Sequence, residues 1–191
     1  MKQICIICAC IALSFTGRAQ SKGTIMFGAN YLTASINSFD DKPVYEQSVQ
    51  TRIGYFPANN FAIGLCMENG INGNQRVPYG FTAFGRLYAG KKTHQVVKFY
   101  VEAGAGVAHN ARMTAGEVPH PDNNWMRGTA YVSPGMNIFM GRVVALELAP
   151  EYRYIAGKDA ANRIGASAGL KFFLTGNTFK KLFPNKFVKD F

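Results

Sequence analysis

Nine charged residues carry most of the chemistry that the body of this chain offers: Arg52, Glu68, Arg86, Glu102, Glu147, Glu151, Arg153, Arg163 and Lys171. They stand in stretches where polar and apolar residues alternate, as in Val101-Glu102-Ala103 and Leu146-Glu147-Leu148. A carboxylate or guanidinium in such a setting leaves water only if it meets its opposite. Four glutamates facing four arginines and a lysine suit mutual pairing, so the expectation is a structural charge network. Individual pairings stay open, because one residue of register moves a side chain to the other face.

Other constellations are weaker. His94, His109 and His120 have no second ligand at metal spacing, so they read as surface residues, and neither a metal nor another cofactor is expected. A nucleophilic serine needs a base within hydrogen-bond reach. His109 and Ser133 are the pair that could meet at a rim, although alternation puts Ser133 on the polar face. Gly104-Ala105-Gly106 lacks the third glycine and the lysine of a phosphate loop. The expectation is a protein that is not an enzyme.

The elements that position the nine charges are β-strands. Between Arg163 and Leu174, Ile164, Ala166, Ala168, Leu170, Phe172 and Leu174 alternate with Arg163, Gly165, Ser167, Gly169, Lys171 and Phe173. Successive strand side chains point to opposite faces, giving one apolar face and one small or charged face. The same reading along the chain predicts strands at about 23–37, 46–56, 61–69, 79–88, 96–108, 128–139, 143–154 and 162–174. Tight turns are expected at Pro57-Ala58-Asn59-Asn60 and Met140-Gly141-Arg142, a modest one at 89–95, and longer loops at 38–45, 70–78, 109–127 and 156–161. Pro134 and Pro150 fall inside the sixth and seventh strands, nearly opposite each other, and predict a local bulge there.

Alternation alone also fits a half-buried soluble strand, and the start of the chain bears on the choice. Lys2, the apolar run from Ile4 to Phe15, and Gly17-Arg18-Ala19 form the pattern of a cleaved secretory signal too short to span a bilayer. A rival reading takes Ile7-Cys8-Ala9-Cys10 as a lipoprotein box, but the hydrophobic run continues past Cys10. With 1–19 removed, Cys66 is the one cysteine left and no intrachain disulfide can form; it reads as a small buried hydrophobe. Loss of Lys2 and Arg18 from 21 basic residues leaves a net charge near +8 against 11 acidic ones. No basic run interleaved with aromatics suggests nucleic acid, and an exported chain meets lipopolysaccharide phosphates sooner.

An apolar face outside and charges with glycines inside describe an eight-stranded barrel whose narrow lumen is filled by side chains. Arg52-Ile53-Gly54-Tyr55-Phe56-Pro57 leading through Asn59-Asn60 to Phe61-Ala62-Ile63-Gly64 resembles the OmpA-related outer-membrane β-barrel domain family. So do Phe84-Gly85-Arg86-Leu87-Tyr88, Phe99-Tyr100-Val101-Glu102-Ala103-Gly104 and Ser133-Pro134-Gly135-Met136-Asn137. The resemblance covers roughly 23–174, and the Ala19-Gln20 junction is similar to signals of exported Bacteroidetes proteins. It implies a transmembrane barrel inserted from the periplasm by the outer-membrane assembly machinery. One departure is that 175–191 follows the aromatic end of the last strand. This tail, with Phe179, Leu182, Phe183 and Phe187 among lysines, reads equally as a surface-lying amphipathic segment or a disordered extension.

The expected organisation is a signal at 1–19, an all-β, antiparallel up-and-down barrel at 20–174, and a basic tail at 175–191. The expected function is non-enzymatic, structural or surface-exposed, in the outer membrane of a Gram-negative bacterium with both termini periplasmic. Two alternatives stand beside it: a lipid-modifying outer-membrane enzyme, and a soluble exported barrel binding a small apolar ligand in an apolar interior.

Overall fold

The computed structural model describes residues 20–39, 42–70, 79–90, 96–109, 126–156 and 160–175. The predicted signal, the tail beyond residue 175, His94 and His120 lie outside the described residues. Eight strands follow in chain order: β1 (Ile25–Phe39), β2 (Lys42–Ala58), β3 (Phe61–Gly70), β4 (Tyr79–Tyr88), β5 (Val97–His109), β6 (Met126–Phe139), β7 (Val144–Ile155) and β8 (Ala161–Leu174). Each pairs antiparallel with its neighbours, and β8 closes onto β1 to make a complete barrel. Closure removes both sheet edges, so no row of backbone donors is left unpaired at a sheet side.

Directly opposed residues fix how the strands lean. Starting at Ile25 and stepping through Tyr55, Ile63, Gly85, Ala103, Val132, Tyr152 and Ile164, the path returns to β1 at Ile36. That is eleven residues above the start, one of which is the extra residue of a bulge after Leu32, so the shear is ten. For eight strands this corresponds to a tilt of about 40°, with height rising about 2.5 Å per residue and about 3 Å per strand crossed.

Two expectations about connections are corrected. Of the loop expected at 38–45, residues 38–39 and 42–45 are instead strand, with Phe39 paired to Lys42; Asp40 and Asp41 lie outside the described residues. Pro43, near the end of the paired stretch, interrupts little of the ladder. The bulge expected at Pro134 and Pro150 is absent. Val132↔Tyr152 and Met136↔Leu148 keep one register on either side, so the ladder breaks off and resumes without an inserted residue.

At the short-turn end, Asn60 adopts φ 62°, the left-handed conformation that asparagine tolerates better than most residues. Its N–H donates to Gln20 O, its carbonyl accepts from Tyr88 N, and its Nδ2 donates to Gly90 O at 3.2 Å. Gly23 N–H donates to Phe56 O, and Phe56 N–H donates to Thr24 O. The segment before β1 is thereby fastened across the floor of the barrel.

Candidate functional site

The alternation sorts side chains as a closed barrel requires. In β7 the odd positions from Ala145 to Ile155 are buried, while Pro150, Tyr152 and Tyr154 are exposed. All nine charges singled out in the sequence lie on the inner face and are buried. Exposed on the outer face are large apolar side chains such as Ile53 at 56%, Leu65 at 42%, Leu87 at 61%, Phe99 at 62% and Ile164 at 62%.

The nine charges form one connected cluster. Arg86 is clamped between Glu102, at 2.6 Å from Nη2, and Glu147. Arg52 faces Glu102 at 3.1 Å, Glu147 at 3.7 Å and Glu151 at 3.5 Å. Higher in the barrel Arg153 reaches Glu68 and Glu151, both at 2.9 Å, and Arg163 bridges the same two carboxylates. Lys171 lies 3.6 Å from Glu147. Each glutamate therefore sees at least two cations, which offsets the cost of removing it from water better than a single partner does.

Neutral groups complete the shells. Asn30 Nδ2 donates to Glu147 at 2.6 Å, Gln50 Nε2 to Glu151 at 3.0 Å, Tyr131 Oη to Glu102 at 2.8 Å and Ser48 Oγ to Glu68 at 2.8 Å. The Arg86 guanidinium stacks 3.9 Å from the Tyr100 ring centroid, and Arg153 lies 4.9 Å from that of Tyr131. Glycines make room for these rings: a Cβ at Gly135 would strike the Tyr100 phenol, and one at Gly104 would strike Tyr131. Below the ions, Phe56, Tyr88, Tyr100 and Phe173 are buried as an aromatic floor, with Phe56–Tyr88 centroids 5.9 Å apart and Tyr88–Tyr100 5.5 Å apart.

The sequence reading missed part of this interior. Lys98, 2% exposed, is a sixth inner cation, with Nζ 3.5 Å from Asn60 Oδ1. Tyr88, Tyr100, Tyr131 and Lys98 were legible in principle, since Tyr88, Tyr100 and Lys98 keep step with Arg86 or Glu102 along their strands and Tyr131 faces Arg153 across the ladder. Their apolar bodies disguised an inward position.

Neither alternative gains support from the geometry. An apolar ligand cup requires a greasy interior, whereas this one is filled by charges. The Ser133 and His109 pair is not brought together: His109 is opposite Met126, seven residues along β6 from Ser133, which is about 23 Å of strand. Ser133 Oγ instead donates to Pro150 O at 2.8 Å. Cys66 is buried on the inner face opposite Arg52. Among the described residues no cluster of three or more His, Cys, Asp or Glu could hold a metal ion.

No protein-family model matches the chain, and no curated protein matches it in sequence. Its fold is similar to solved barrels. The N-terminal β-barrel domain of Pseudomonas aeruginosa OprF superposes with a TM-score of 0.63 at 12% identity, over 81% of this chain and 100% of that one. Neisserial surface protein A gives 0.59 at 15% identity, over 78% of this chain and 95% of that one. The outer membrane protein OprG of Pseudomonas aeruginosa gives 0.52 at 8% identity, over 84% of this chain and 100% of that one. At these identities the likeness concerns the fold.

Proposed function

We propose that this chain is a non-enzymatic outer-membrane barrel of a Gram-negative bacterium, OmpA-like in kind, that acts through its outer loops around an occluded interior. The observation that carries this reading is the inversion of the wall, with apolar side chains outside and paired ions inside. On the outer face, Tyr55, Phe61, Phe99 and Phe172 come within about 2 Å of one level when their heights follow from tilt and register. Exposed polar residues end the apolar belt about 20–25 Å higher, at Gln47, Asn69 and Asn162. Tyr31 and Tyr152 direct their hydroxyls to Gln47 and Asn162 at that border. An apolar band about 25 Å tall, edged by aromatics, is what a bilayer asks of a spanning barrel.

In water, so continuous an apolar exterior would drive aggregation. The partners that fit the wall are therefore outer-membrane lipid and lipopolysaccharide, with delivery by the outer-membrane assembly machinery. An even strand count puts both ends of the barrel on the short-turn side, which by analogy with such barrels faces the periplasm. Carbonate washing of membranes from cells making the protein tests this: retention with the outer membrane is expected, together with heat-modifiable migration on a gel. Release into the soluble fraction would overturn it.

A further inference from the structure

One ladder in the wall is interrupted where no turn or bulge calls for it. β6 and β7 pair from Thr129↔Ile155 to Val132↔Tyr152 and again from Met136↔Leu148 to Phe139↔Ala145. The unbroken register places Pro134 opposite Pro150 in the gap. Neither has an N–H to donate. Pairing with the outer neighbours continues across both residues, Pro134 with Val101 and Pro150 with Ala166. A strand residue aims its N–H and C=O at one neighbour, so the two missing donors are those that would have faced each other.

What replaces them comes from the inner face. Ser133 Oγ donates across the gap to Pro150 O at 2.8 Å, while Ser167 Oγ donates to Ala149 O at 3.3 Å on the intact β7–β8 side. The side chains behind the gap are small, namely Ser133, Ala149 and Ser167 with Gly135, and the Tyr100 phenol rests against them. Outside, Pro134, Pro150 and Ala166 are exposed. The prolines stand about 10 Å above the lower aromatic ring, midway up the belt, where no water can supply a lost hydrogen bond.

We propose that β6 and β7 form a lateral seam, along which the wall parts between 133–135 and 149–151 to join the interior to the surrounding hydrocarbon. Ser133 latches it, and Tyr100 backs it. What lies outside the seam rests on the membrane reading above; the weakness of the seam does not.

Amide exchange of the full mature chain in liposomes tests the weakness. Peptides covering 147–153 should exchange at least tenfold faster than those covering 82–87 of β4, whose pairing is continuous on both sides. Ser133→Ala should raise the rate further by at least threefold. Pro134→Val with Pro150→Val, which returns both donors, should bring it down to the β4 level. Exchange within twofold of β4, or no response to the valine pair, would overturn the seam. Lateral access is read with Ala149→Cys in a Cys66→Ala background, checked for heat-modifiable migration. A bilayer-partitioning maleimide should label it at least tenfold faster than Ala145→Cys, a buried position on the same strand outside the gap. Equal labelling of the two cysteines, or equal labelling of Ala149→Cys by a membrane-impermeant reagent, would overturn lateral opening. Loss of the chain from carbonate-washed liposomes would instead sink the membrane reading and leave the exchange result standing.

Discussion

At the scale of single residues, the interior is a set of charges that are individually costly and jointly tolerable. Glu147 receives Arg86, Arg52, Lys171 and Asn30. Glu147→Ala should therefore destabilise the barrel by about 3–5 kcal/mol, because buried cations lose their counter-charge. The urea dependence of heat-modifiable migration measures this. Adding Arg86→Ala should cost less than the sum of the two single changes, since each alone strands the other. That these residues face inward was legible from even spacing along strands. Which carboxylate each arginine takes was not: Arg52, on β2, meets glutamates from β5 and β7, and only the closed register brings those strands around it. Lys98 and the inner tyrosines escaped notice because a long or aromatic side chain suits either face.

At the scale of elements, strand existence and facing were legible because the period-two pattern is strict from β3 to β8. The ends were less so. Aspartate and proline between β1 and β2 suggested a loop, whereas pairing continues up to Phe39 and Lys42. The paired prolines suggested a bulge, but opposing them removes two bonds at one place and leaves the register intact. Two substitutions test the elements. Leu65→Arg, on the outer face near the middle of the belt, should cost about 2–4 kcal/mol in lipid vesicles. A soluble barrel would accept an arginine at so exposed a position with little change, so the same unfolding measurement discriminates the two environments. In the β2–β3 turn, Asn60→Gly should be less harmful than Asn60→Ala by about 1–2 kcal/mol, since alanine adds strain at positive φ while both lose the side-chain bonds.

At the scale of the whole molecule, an aromatic floor lies under an ion-paired column that fills the axis where its residues are described. Planar bilayers containing the purified protein should show no large stepwise currents; their appearance would refute an occluded interior. The column is not balanced, however. Among the described residues, Arg52, Arg86, Lys98, Arg153, Arg163 and Lys171 are buried on the inner face with four glutamates, a surplus of two positive charges. Trimming the floor with Phe56→Ala and Phe173→Ala should make any leak that results prefer chloride over potassium. A salt gradient across the bilayer reads that preference as the sign of the reversal potential. The same surplus means that a small anion, rather than a cation, is the natural counter-ion of this cylinder.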